Sequence, residues 1–200
     1  MRSRGFTLVE MAVTLAVLAM LLMIAMPSIG TWMTNTRIRN TAEALQGGLQ
    51  AARLEAVRRN ESVSFYLVSL ADPNTMDDSC ALSASGASWA IGTASPAAKC
   101  KSGNVLASRA AGDAGGGVRV TAGHSSDNTN KTTVGDSATT VTFNSFGRVA
   151  NIDAAINRLR ITGPADDVSY VDLMLIVDSG GSVRMCDPRT SIADTDPRKC

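Results

Sequence analysis

Aromatic side chains are scarce in this chain: two Trp, two Tyr and four Phe make 4% of 200 residues. A stacking platform for single-stranded nucleic acid needs such rings, and the last twenty residues contain none. One histidine, His124, leaves no ordinary catalytic triad and no H-E-x-x-H zinc helix. No C-x-x-C pair is present, so the four cysteines lack the ligand spacing of a zinc site. Gly115-Gly116-Gly117 is not followed by Lys-Ser/Thr, which removes a phosphate loop. The adjacent acids Asp77-Asp78 and Asp166-Asp167 sit in turn-like segments, where carboxylates are ordinary turn chemistry. Charge of one sign is missing too: 19 Lys+Arg stand against 18 Asp+Glu, a net of +1, which excludes a polybasic protein held to nucleic acid by bulk charge. No repeat of about 20–50 residues is visible. These absences predict a non-enzyme without cofactor or metal.

What is present is concentrated at the start. Met11 to Met26 is 16 residues without a charge and with one hydroxyl, Thr14. With Phe6 to Glu10 the run reaches 21 residues, about 31 Å as an α-helix, the thickness of a bilayer core. Arg2 and Arg4 precede it and no charge follows Glu10 until Arg37, so the positive-inside bias keeps the N-terminus cytoplasmic and sends the body across the membrane. A cleaved secretory signal is the plainer alternative, but Ala25, Met26 and Pro27 stand where an A-x-A-like site belongs. Glu10 lies inside the run, and an intramembrane acid needs a partner to offset a cost of about 2–3 kcal/mol.

Downstream, Ile38, Ala42, Leu45, Leu49, Ala52 and Ala56 form one apolar stripe at spacings of 4 and 3. Arg58 and Arg59 suit the C-terminal end of a helix dipole, and Asn60 is a stop. The spacing predicts a single helix from Phe6 to about Arg59, with a membrane-spanning half (6–29) and an amphipathic half (30–60) that packs on a sheet. After Asn60 the periodicity changes to strand type. Ser62–Leu70, Trp89–Gly92, Val105–Ser108, Val118–Ala122, Thr139–Asn144, Arg148–Ile152, Leu159–Thr162, Tyr170–Asp178 and Ser182–Cys186 read as strands between turn clusters. Tyr170–Asp178 reads as a central strand. Ala110–Gly117 and Gly123–Ser137 read as exposed loops, the latter holding His124.

Arg4-Gly5-Phe6-Thr7-Leu8-Val9-Glu10 resembles the type IV prepilin signature, and Pro27 falls where pilins place a helix-kinking proline. The resemblance implies a leader of residues 1–5, cleavage by prepilin peptidase between Gly5 and Phe6, and N-methylation of Phe6. It also implies that Glu10 pairs with the α-amino group of Phe6 in a neighbouring subunit, which supplies the partner a buried acid requires. One long helix ahead of about eight short antiparallel strands, together with Phe143-Asn144-Ser145-Phe146-Gly147-Arg148, resembles the GspH/FimT group of pilin-like proteins. That implies an α+β fold in which the helix packs on two small antiparallel sheets within 61–200.

Cys80, Cys100, Cys186 and Cys200 belong to the part carried out of the cytoplasm, and an even count there reads as disulfides. Of three connectivities, Cys80–Cys100 with Cys186–Cys200 closes two short segments. The end of the chain, Gly181-Ser182-Val183-Arg184-Met185-Cys186 and the tail to Cys200, resembles the FimT branch, where a strand with a G-R-x-R motif runs into a disulfide-closed tail and its arginines help bind DNA in natural transformation. Arg184 matches the second motif arginine, Ser182 stands at the first, and Arg189, Arg198 and Lys199 are the tail cations. Lys99, Lys101 and Arg148 are weaker candidates. Asp187, Asp194 and Asp196 lie among these cations, so contact with phosphates requires the acids to point elsewhere.

The implied function is a minor pilin that binds double-stranded DNA weakly and without sequence preference through Arg184, Arg189, Arg198 and Lys199. The alternatives are a structural minor pilin that primes assembly (FimU-like) or a type II secretion pseudopilin (GspH). The implied partners are major and minor pilins, prepilin peptidase and the inner membrane. The body would face the periplasm and later join a pilus or pseudopilus at the cell surface.

Overall fold

The structure, a computed structural model, describes residues 7–103, 105–114, 117–127, 131–164, 170–193 and 195–200, without the side chains of 24–28 and 114. Gly5, Phe6, Asp166, Asp167 and Asp194 lie outside the described residues, as do Gly115 and Gly116. Two compact units divide the chain, Met1–Met33 and Thr34–Cys200.

Helix α1 runs Leu8–Arg59, and its backbone continues through Pro27. In the first unit its side chains from Leu8 to Met23 are exposed. Among the described residues no helix is long and apolar enough to cross a membrane. The span expected from the sequence continues over 24–28, whose side chains are not described. The end of α1 is chemically explicit. Asn60 adopts φ 53°, its N–H donates to the Val57 carbonyl (3.3 Å), and the Glu61 N–H donates to the Ala56 carbonyl (3.3 Å). This is a Schellman cap with asparagine, one of the few side chains that tolerates the left-handed region.

In the second unit all six stripe residues, Ile38 through Ala56, are fully buried. They pack against the inner faces of two five-stranded antiparallel sheets. The strands are β1 (Val63–Ser69), β2 (Ala81–Leu82), β3 (Ser88–Gly92), β4 (Val105–Arg109), β5 (Arg119–His124), β6 (Asp136–Ser137), β7 (Thr140–Phe143), β8 (Arg158–Thr162), β9 (Leu173–Val177) and β10 (Val183–Cys186). The first sheet has the order β2-β1-β3-β4, with β7 also pairing β1; the second has the order β10-β9-β8-β5-β6. Phe65 and Leu67 of β1, Phe143 of β7, Leu159 and Ile161 of β8, and Leu175 and Val177 of β9 share one core with the helix stripe. The α+β arrangement of a helix on two antiparallel sheets is therefore the fold.

Each sheet also has a small apolar cluster on its outer face, and each cluster contains a disulfide. Tyr66, Val68 and Ala90 surround Cys80 and Cys100, while Met174 and Ile176 pack with Cys186 and Cys200. The pairings are Cys80–Cys100 (Cα–Cα 6.1 Å) and Cys186–Cys200 (5.0 Å).

Four sequence expectations change. Arg148–Ile152 is not a strand; only Val149 forms a bridge, to Phe143, because Asn144 folds the chain into a tight turn by accepting the N–H groups of Phe146 and Arg148. The segment 123–137 is not all loop. Gly123 and His124 finish β5, and Asp136–Ser137 forms β6 beside them. His124 is accordingly a strand residue whose Nδ1 lies 3.0 Å from the Ala155 carbonyl. Ala111–Ala114 is a short 3-10 helix. Finally, the strand expected over Tyr170–Asp178 is confined to β9, which lies inside the sheet between β8 and β10, with Leu175 buried on one face and Met174 and Ile176 on the other.

Candidate functional site: the helix start and the stapled tail

Thr7 begins the helix as a capping residue: its hydroxyl oxygen accepts the Glu10 N–H at 3.2 Å, and its carbonyl accepts the Met11 N–H. Thr7-Leu8-Val9-Glu10 has the T-x-x-E spacing of a capping box, a signal that was present in the sequence beside the prepilin resemblance. Glu10 therefore sits in the first turn, where the helix dipole favours an acid, and its side chain is exposed.

At the other end, the structure brings Arg184, Arg189, Arg198 and Lys199 together around the Cys186–Cys200 ring. Strand β10 leads into it, and the tail folds back so that Asp187 bridges to Lys199. The Asp187 N–H donates to the Arg198 carbonyl (2.6 Å), and the Cys200 N–H donates to the Asp187 carbonyl (3.2 Å). The cations do not stand free. Arg189 grips the buried Asp187 carboxylate through Nε (3.0 and 3.1 Å) and Nη2 (2.6 Å), a bidentate pair. Arg198 does the same with Asp196, at 3.1 and 2.7 Å, with its own side chain 77% exposed. Arg184 donates from Nη2 to the Cys200 carbonyl (3.4 Å), and Lys199 Nζ donates to the Ile192 carbonyl (3.1 Å). Asp187 and Asp196 point at the tail arginines rather than elsewhere.

Ser182, at the place of the first motif arginine, closes the Asp178–Ser182 hairpin turn through its hydroxyl on Asp178 (2.8 Å). Lys99 and Lys101 belong to the other disulfide segment, on the first sheet, and Arg148 to the Asn144 turn. The sequence reading missed Arg158, a buried arginine of β8. The only trace it left was an arginine at the head of an apolar alternation.

Hydrogen bonds from Arg198 hold the Asp196 carboxyl down to about 2, against a usual 3.8. Because the folded value is the depressed one, the pair's contribution is present above the ordinary Asp range and is lost as pH falls toward 2. An NMR titration is expected to place the Asp196 midpoint at least about one unit lower in the native chain than in Arg198→Gln. Equal midpoints would mean that the ion pair does not form in solution.

Residues 41–191 match the family model described as type II transport protein GspH. The chain belongs to the GspH family. Residues 1–26 match the prokaryotic N-terminal methylation motif, which covers the capped helix start and Glu10. This GspH-family chain is thus a type IV pilin-like protein. The match ends at Ser191, so Arg198, Lys199 and Cys200 lie beyond the part shared with the family model. Two crystal forms of the Pseudomonas aeruginosa (strain PAO1) minor type IV pilin FimU resemble the structure. One is 15% identical over 74% of this chain and 90% of FimU, with a TM-score of 0.46. The other is 16% identical over 79% and 92%, with a TM-score of 0.47. No curated protein matches the chain.

Proposed function

We propose that this protein is a minor subunit of a pilin-type filament, a structural minor pilin or secretion pseudopilin. Residues 6–29 would anchor it in the inner membrane, with the body in the periplasm, until it joins the filament. The observation that carries this reading is the methylation motif directly ahead of an apolar helix on a GspH-family body. Prepilin peptidase would cut between Gly5 and Phe6, and Phe6 would be N-methylated. The exposed apolar side chains from Leu8 to Met23 suit lipid first and neighbouring pilin helices afterwards. Glu10 would then meet the α-amino group of a neighbour's Phe6, an ion pair that compensates its transfer out of water. Glu10→Ala is expected to leave the body folded and to cut incorporation into filaments by about tenfold or more. Normal incorporation of that variant, scored by immunoblot of sheared filaments, would overturn the reading.

DNA capture is the second reading, and it rests on the gathering of four cations around one ring. The pairing of Arg189 with Asp187 and of Arg198 with Asp196 counts against it, because phosphates would have to displace existing carboxylate contacts. The expected result of a mobility titration with double-stranded DNA is no binding at physiological salt. Changing Arg184, Arg189, Arg198 and Lys199 to Gln together should then alter nothing. Salt-sensitive binding, with a log–log slope of about −3 to −4 that the variant loses, would restore DNA uptake as the function.

A further inference from the structure

Strand register places two arginines on the floor of one cleft. Arg158 of β8 pairs across from Ile176 of β9, and Ile176 pairs across from Arg184 of β10. Paired residues share a face, so the two arginine positions flank Ile176 at about 10 Å, two strand spacings apart. This is the outer face of the second sheet, away from the helix, since Leu159, Leu175 and Val177 take the inner one. The three side chains line a cleft of about 880 Å³ that Lys131, His124, Asp153 and Asp178 also border.

Arg158 is the anomaly. It is 4% exposed, yet among the described residues no carboxylate lies within ion-pair distance of it. Its Nη1 donates to the adjacent Asn157 carbonyl (3.0 Å), and its buried Nε has no partner among the described residues. Arginine keeps its proton in such surroundings, so burial leaves a charge that costs several kcal/mol unless an anion meets it. Asp178 and Asp127 act on it through space, and the Asp178 carboxylate already accepts the Ser182 hydroxyl.

We propose that the cleft binds a carboxylate carried on a short apolar body. Its volume lies in the range of small-molecule sites, and a guanidinium fork matches a carboxylate in two parallel hydrogen bonds. Ile176 supplies an apolar floor between the two arginines. The charge favours a monoanion: among the lining residues Arg158, Arg184 and Lys131 stand against Asp153 and Asp178, and Asp127 nearby offsets part of that small positive excess. A phosphate dianion would exceed it. The carboxylate has two sources, a free organic acid or the C-terminus of a peptide.

The test is titration calorimetry on the full chain in detergent micelles with five probes. These are hexanoate, its neutral amide, inorganic phosphate, and a short peptide ending in leucine with a free or an amidated C-terminus. Hexanoate or the free-carboxyl peptide is expected to bind saturably. The two amides are expected to be silent, and affinity to fall by about tenfold or more in both Arg158→Gln and Arg184→Gln. Peptide binding tighter than hexanoate assigns the site to a polypeptide terminus, and the reverse assigns it to a free acid. Absence of saturable binding by either carboxylate, tighter binding of phosphate, or an unchanged affinity in Arg184→Gln overturns the proposal. The last variant keeps the test decisive if Arg158→Gln fails to fold, because Arg184 is only half-buried and its loss leaves no buried charge.

Discussion

Truncating Phe65 to alanine is expected to lower the unfolding free energy by about 3–5 kcal/mol, the usual cost of emptying an aromatic site in a packed core. Phe65 is fully buried, sits 5.8 Å from the Trp89 ring centroid, and faces the helix where α1 carries Gly48. A Cβ on Gly48 would lie 2.8 Å from Trp89 and 2.9 Å from Phe65. The helix therefore approaches the first sheet through a notch that the two rings fill. Gly48→Ala alone gains about 1 kcal/mol of helix propensity and loses about 1–3 kcal/mol to overpacking. In the double variant the part of that loss due to Phe65 is relieved, while the Trp89 ring at 2.8 Å still presses on the methyl group. A double-mutant cycle by urea denaturation should show a coupling of about 1 kcal/mol or more. Additive effects would mean that the helix and this sheet do not meet at the notch.

The second large effect is expected from Cys186→Ser/Cys200→Ser. The bridged cysteines are 14 residues apart, and a ring of that size is worth about 3 kcal/mol by restriction of the unfolded chain. Loss should reach beyond entropy, because Cys186 and Cys200 pack on Met174 and Ile176 and cover that outer face. The denaturation midpoint should fall, and amide exchange should quicken first in β10 and next in β9. A change below about 0.5 kcal/mol would mean that the tail is not part of the cooperative unit. Loss of Cys80–Cys100, a separation of 20 residues, should cost a comparable amount while leaving β9 and β10 protected.

The helix was legible because its signals are local. The stripe from Ile38 to Ala56 follows from the 3.6-residue period, and Asn60 ends the helix by a backbone conformation that asparagine tolerates. The two-residue strands β2 and β6 were not legible, since each exists only through its hydrogen bonds to β1 and β5. Arg148–Ile152 misled for the same reason. Its alternation suits a strand, but it meets β7 only through the Val149–Phe143 bridge, and the next Thr142 N–H donates to the Asn151 side chain instead of its backbone.

The functional residues divide along the same physical line. Sequence alone determined the prepilin-like start, the apolar run with the helical stripe and its Asn60 stop, and the identity of the tail cations, because each depends on residues near one another in the chain; which cysteines pair came from the fold. Whether those cations are available was settled in three dimensions: the tail folds back at Asp187, and the carboxylates of Asp187 and Asp196 take the forks of Arg189 and Arg198. Arg158 shows the converse. Nothing in its neighbourhood along the chain marks it, and it acquires a buried charge with no ion-pair partner among the described residues only because the register of β8, β9 and β10 sets it across from Ile176 and two strands from Arg184. Charge is written residue by residue, but its partner and its solvent come from the packing of distant strands.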